Sequence, residues 1–163
     1  MRFTDVRAVA APTDHVWTAL HDPEVLRAVI PGCRALDRVG AERYAATLGV
    51  QVGLLTDTYR GTFLIHDGRP GSELRVLMDG RGRCGHVELQ LRVRLTEGSL
   101  PASTDLAYDA RVTVGGLVAR LGRAPLTVAA GHLTGCFFRD LDRAMRAERG
   151  DRPNAVASLA PAS

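Results

Sequence analysis

LTVAAGHLTGCFFRDLDRAM, residues 126–145, is the stretch that decides the fold. Leu126, Ala129, Ala130, Leu133, Phe137, Leu141 and Met145 recur at intervals of three and four. That spacing draws one apolar stripe down an α-helix and predicts a long amphipathic helix running to about Glu148. A stripe of this length needs an apolar surface to lie on.

The residues before it supply that surface. Gly115-Gly116 closes the preceding element, and Leu117, Val118 and Leu121 begin a helical pattern interrupted at Gly122 to Pro125. From Cys33 to about residue 114 the period is two. Tyr44, Ala46, Leu48, Val50 and Val52 alternate with more polar or smaller residues. Tyr59, Phe63 and Ile65 share a face opposite Arg60 and His66. Leu74, Val76 and Met78 follow, then Val87, Leu89, Leu91, Val93 and Leu95, then Leu106, Tyr108, Ala110, Val112 and Val114. One apolar and one wet face define an antiparallel sheet. Its breaks at Gly40, Gly53, Asp67-Gly68, Gly80 to Gly85 and Gly98 to Pro101 read as short turns.

At the start of the chain, residues 2–11 read as a strand ended by Pro12. Thr13-Asp14 reads as a helix N-cap before Val16, Trp17 and Leu20. Asp22-Pro23 opens a second short helix carrying Val25, Leu26, Val29 and Ile30, stopped by Pro31-Gly32. The order is one strand, two short helices, six strands and one long helix. A one-faced sheet must be covered, and only the last helix is long enough to do it. The expected fold is α+β and of the helix-grip type, a curved seven-stranded antiparallel sheet around a long C-terminal helix. It is expected to span residues 1–148 as one domain, followed by a disordered Pro/Ala/Ser-rich tail over 149–163.

Composition narrows the function classes. Apolar residues make up 45% and charged residues 24% of 163, which suits one globular domain. The net charge is +3, every basic residue apart from histidine is Arg, and no basic, aromatic-interleaved stripe points to nucleic acid. Cys33, Cys84 and Cys136 do not form a disulfide framework. The opening MRFTDVRAV lacks the character of a signal peptide, and no stretch approaches the roughly 20 apolar residues of a membrane span. A cytoplasmic protein is expected.

Three motifs have tempting chemistry and plainer explanations. Gly80-Arg81-Gly82-Arg83-Cys84-Gly85 spells GxGxxG, but a strand follows it where a dinucleotide fingerprint needs a helix. His132 and Cys136 stand four apart on the long helix, two ligands short of a zinc site. Asp57 is in phase with Tyr59 and is flagged as a carboxylate near the apolar face, or else a turn residue at the strand start. No serine has the setting of a nucleophile elbow. No catalytic or metal-ligating set is read.

Ala11-Pro12, Val16-Trp17, Asp22-Pro23, Ile30-Pro31-Gly32-Cys33, Tyr59-Arg60-Gly61, Gly80-Arg81-Gly82 and Val114-Gly115-Gly116-Leu117-Val118-Ala119 resemble the carbon monoxide dehydrogenase G-subunit (CoxG) family of the START-like, Bet v 1-like SRPBCC superfamily. The likeness runs over about residues 1–146 and departs at Leu54, near Glu88, at Ser103 and at Pro125, where other residues are usual. It implies an internal apolar cavity holding a quinone or lipid, with no covalent cofactor. It implies a non-catalytic role assisting or recruiting a molybdenum-containing CO dehydrogenase-type oxidoreductase, peripherally at the inner face of the membrane. The residues expected to line the cavity are Trp17, Leu20, Leu26 and Ile30 from the short helices, and Tyr44, Leu48, Val50, Tyr59, Phe63, Val76, Met78, Leu89, Leu91, Tyr108 and Val112 from the sheet. Ala129, Leu133 and Phe137 are expected from the long helix. A polyketide cyclase/aromatase using Asp57, Arg60 or His66 with a tyrosine, and a START-like lipid transfer protein, are the alternatives. A third reading has the wet sheet face dock an oxidoreductase.

Overall fold

The computed structural model describes residues 1–148 and Gly150; the rest of the expected tail, 149–163, lies outside the described residues. The elements are β1 (Arg2–Val9), α1 (Thr13–Ala19), α2 (Pro23–Val29), β2 (Cys33–Arg38), β3 (Arg43–Val52), β4 (Leu55–Arg69), β5 (Glu73–Gly82), β6 (Gly85–Glu97), β7 (Thr104–Gly115), a 3-10 turn at Leu117–Leu121, and α3 (Arg123–Glu148). The strands form one antiparallel sheet in the order β1-β7-β6-β5-β4-β3-β2. This is the helix-grip architecture, with α3 laid across the apolar face.

Short turns make β2 to β7 a meander, and β1 adds to its far edge through Arg2↔Arg111 to Val9↔Thr104. Alternation survives across the register: Leu48 faces Tyr59, Phe63 faces Met78, and Leu89 faces both Met78 and Val112. The GxGxxG segment is a hairpin between β5 and β6, with Gly82 paired to Gly85.

Three local expectations are corrected. β1 ends at Val9, because the Ala11 amide turns back to donate to the Val9 carbonyl (2.9 Å). Pro12, not the Thr13-Asp14 pair, occupies the N-cap of α1, and no side chain caps it; the Thr13 hydroxyl instead meets that of Thr104 (3.4 Å). Pro125 does not interrupt the long helix. It is the third residue of α3, in the first turn, where its missing N–H has no intrahelical acceptor to lose. Asp22 caps α2 as its sequence predicts, accepting from the Glu24 amide (3.0 Å).

The space under α3 is filled unevenly. Its C-terminal half carries Phe138, Leu141 and Met145, with Leu141 at 0% and Met145 at 1% exposure. They join Val16, Ala19 and Leu20 of the α1 segment, Leu26 and Val29 of α2, and Leu74, Val93, Leu95 and Leu106 of the sheet in one continuous core. The N-terminal half turns Ala129 and Ala130 toward the sheet, and their small volumes leave room below.

Candidate functional site: an apolar cavity under the first half of α3

A cavity of about 240 Å³ lies where the small residues of α3 face the sheet. Leu126, Ala129, Ala130 and Leu133 of α3 and Val118 of the 3-10 turn form its roof. Leu48, Val50 and Val52 of β3, Tyr59 and Phe63 of β4, Met78 of β5, Val87 of β6 and Val112 and Val114 of β7 form its walls. Ile30 and Pro31 close one side, Met1 and Phe3 of the first strand segment add to the lining, and Ala46, Gly61, Asp79 and Gly80 reach it as well.

Glycines create much of this shape. Gly61 and Gly80 are paired across β4 and β5 and both reach the cavity. A Cβ at Gly61 would sit 1.8 Å from the Asp79 carbonyl oxygen, so only glycine lets the two strands approach there. A Cβ at Gly80 would make an ordinary 3.8 Å contact with the Cβ of Tyr59, so a longer side chain at that position enters the open space.

Polar chemistry is concentrated at one wall. Tyr59 is 7% exposed, and burial, followed by the charges of Asp57 and Cys84, holds its hydroxyl above the usual tyrosine range. Asp57 is occupied: one oxygen accepts from the Thr58 amide (2.8 Å) and the Arg83 amide (3.3 Å), and the other from the Cys84 amide (2.7 Å). These bonds, that from Cys84 foremost, hold the Asp57 carboxyl below the usual carboxylate range. Asp57 lies within β4 opposite Val50 rather than in a turn, and it fastens the β5–β6 hairpin. Arg60 is exposed. His66 lies exposed on the outer face, 3.1 Å from Glu42. Neither joins the cavity lining.

Of the residues expected to line a cavity, the fold brings together Ile30, Leu48, Val50, Tyr59, Phe63, Met78, Val112, Ala129 and Leu133. The others lie elsewhere. Leu20, Leu26 and Tyr44 belong to the filled core. Trp17, Val76, Leu91, Tyr108 and Phe137 are partly buried against that core, with Trp17 tilted against His21 (centroids 4.6 Å apart) and Tyr108 stacked on Phe138 (5.9 Å). Leu89 is half-buried and outside the lining. The physical reason is common to most of them. They share the correct sheet or helix face but stand opposite the bulky half of α3 and the α1–α2 pair, which leave no space. The lining residues Val52, Val87 and Val114 carried the same alternation signal. Gly61 and Gly80, Pro31 and the Met1–Phe3 contribution had no periodic signal to reveal them.

Elsewhere, a groove of about 710 Å³ crosses the outer face, lined among others by Arg75, Arg92, Arg111 and the Arg2–Asp109 pair. Arg2 holds Asp109 through two bonds of 3.0 and 2.7 Å. The His132–Cys136 pair closes to 3.7 Å, but among the described residues no group of three or more His, Cys, Asp or Glu is placed to hold a metal. Among those residues no helix is long and apolar enough to cross a membrane.

Comparison with known proteins agrees with this geometry. The sequence profile of the carbon monoxide dehydrogenase G-subunit (CoxG) family matches residues 7–146. A conserved protein from Geobacillus kaustophilus is similar at 26% identity and a TM-score of 0.85, over 90% of this chain and 96% of that one. A START superfamily protein from Mycobacterium smegmatis shares the fold at 12% identity and a TM-score of 0.71, over 90% and 97%. A Streptomyces aromatase/cyclase does so at 15% and 0.69, over 94% and 97%. Among curated proteins none matches the chain.

Proposed function

The chain belongs to the carbon monoxide dehydrogenase G-subunit (CoxG) family, and we propose that it is a non-catalytic carrier. It holds a quinone- or lipid-like molecule in the cavity under α3 and serves a molybdenum-containing CO dehydrogenase-type oxidoreductase at the cytoplasmic face of the membrane. The observation that carries the reading is the lining itself: predominantly aliphatic and aromatic walls, with Tyr59 as the one hydroxyl-bearing side chain and the exposed Asp79 as the one charged residue. Such a site binds by removing apolar surface from water. Its volume is below the roughly 300–1,000 Å³ of sites for drug-sized ligands. It therefore takes a ring-sized body, and a longer tail leaves through the mouth.

The rim supports exchange with a lipid surface. Leu54, fully exposed at the tip of the β3–β4 hairpin, lies two residues from the lining residue Val52, and the exposed Leu117 adjoins the lining residue Val118. Arg81 and Arg83 of the hairpin, Arg120 of the 3-10 turn and Arg123 at the start of α3, all exposed, stand at this end. Apolar tips among arginines fit the interface of an anionic bilayer.

Mass spectrometry of an organic extract of the purified protein tests the carrier reading, with an apolar molecule in near-stoichiometric yield as the expected result. Protein that is free of extractable ligand and takes up no apolar probe defeats it. The cyclase reading rests on the fold shared with the aromatase/cyclase; turnover of a polyketide that is lost on Tyr59→Phe would favour it instead.

A further inference from the structure

The three tyrosines of the chain are not equivalent. The Tyr44 hydroxyl donates to the His21 carbonyl (3.5 Å), and that of Tyr108 has the Thr134 hydroxyl beside it. Tyr59 is as deeply buried as the core and lines the cavity, yet its hydroxyl has no hydrogen-bond partner among the described residues. It is not sealed in apolar packing, since no fully buried side-chain N or O atom there lacks a partner. The hydroxyl is therefore unpartnered and still reachable by water, on a side chain that lines the cavity. A ligand that expels water from this space must replace the hydrogen bond it removes, or leave the group unsatisfied.

Charge restricts what can replace it. No Arg or His side chain is among the lining residues. Asp57, close enough to oppose ionisation of the buried Tyr59 hydroxyl, is held in place by three amides and keeps its negative charge beside this wall. Asp79 reaches the lining but is exposed. An anionic head group would be buried without a counter-charge and next to a carboxylate, which burial strongly disfavours. A neutral oxygen acceptor meets neither obstacle.

We propose that the Tyr59 hydroxyl is the hydrogen-bond anchor of the cavity, and that it selects neutral apolar ligands bearing an oxygen acceptor, such as a ring carbonyl, over carboxylates and plain hydrocarbons. This rests on the carrier reading above and specifies its ligand.

The test uses the full chain and three ring-sized probes in calorimetric titrations: menadione, its hydrocarbon counterpart methylnaphthalene, and the anion naphthoate. Menadione is expected to bind roughly tenfold more tightly than methylnaphthalene, about the value of one net hydrogen bond, and naphthoate more weakly than either. Tyr59→Phe keeps the ring and removes only the hydroxyl. It should erase the preference, bringing menadione affinity down to that of methylnaphthalene in the same variant. The infrared carbonyl band of bound menadione supplies a second measurement, shifted down in the parent protein and unshifted in the variant. Equal binding of menadione and methylnaphthalene, a preference that survives in Tyr59→Phe, or naphthoate binding as tightly as menadione overturns the inference while the carrier reading stands. Failure of all three probes to bind removes both.

Discussion

Gly32 has φ +71°, and a Cβ there would stand 2.0 Å from the carbonyl oxygen of Gly49, whose amide donates to the Gly32 carbonyl at 2.8 Å. The Ile30-Pro31-Gly32-Cys33 segment is thereby pinned to β3, which puts Ile30 and Pro31 on the cavity wall. Gly32→Ala meets both the strained φ and the carbonyl; it should destabilise the protein by at least about 1–3 kcal/mol in urea unfolding. Asp57 gives a pH-dependent case. Its carboxyl, like those of Asp5 and Asp109, lies below the usual range in the folded chain. A depressed folded value means that the contributed stability is present above the unfolded value, about 3.9, and is lost as pH falls from there through the folded value. Asp57→Asn should therefore lower stability at neutral pH and make the acid-side loss shallower. Unfolding midpoints followed on an acid series down to about pH 2 check this. The sequence signalled that Gly32 and Asp57 mattered, but not how, because each acts on backbone groups far along the chain.

At the scale of the element, α3 is two helices in composition. The helix was legible from its spacing of three and four. Its division into a filled and an open half was equally present in the letters, Ala129 and Ala130 against Phe138, Leu141 and Met145, but periodicity weighs all apolar residues alike. The two halves should answer mutation oppositely. Leu141→Ala leaves a hole in a packed core and should cost about 2–5 kcal/mol. Ala129→Leu adds volume to the open half, and should reduce menadione affinity at least tenfold with stability unchanged or slightly raised. Thermal unfolding and the same calorimetric titration distinguish these outcomes; a large destabilisation by Ala129→Leu would mean that the open half is already full.

For the whole molecule, the turns β3–β4 and β5–β6 and the end of β7 converge at the cavity end of the sheet, as the pairs Val52↔Leu55, Gly82↔Gly85 and His86↔Gly115 show. That convergence brings Leu54, Leu117 and their neighbouring arginines to the same end of the sheet. Co-sedimentation with phosphatidylglycerol-containing vesicles should carry down the parent protein in low salt and little of it in high salt. Leu54→Asp should remove most of the bound fraction without altering menadione affinity, since Leu54 lies outside the lining. Binding that ignores both salt and Leu54 would count against this rim as the contact.

The sequence by itself determined the kind and order of the elements, the apolar face of each strand and the stripe of the long helix. These depend on local periodicity, with repeats of two and of three to four that any one segment displays alone. Family motifs such as Ile30-Pro31-Gly32-Cys33 then implied a cavity. Only the tertiary structure decided which apolar residues surround space and which fill it. Tyr59 and Tyr44 look alike in the alternation, yet one faces the alanines of α3 and the other packs in the filled core with its hydroxyl against the His21 carbonyl. The volume opposite a side chain is set by residues some 70 to 100 positions away, and no local pattern encodes that sum.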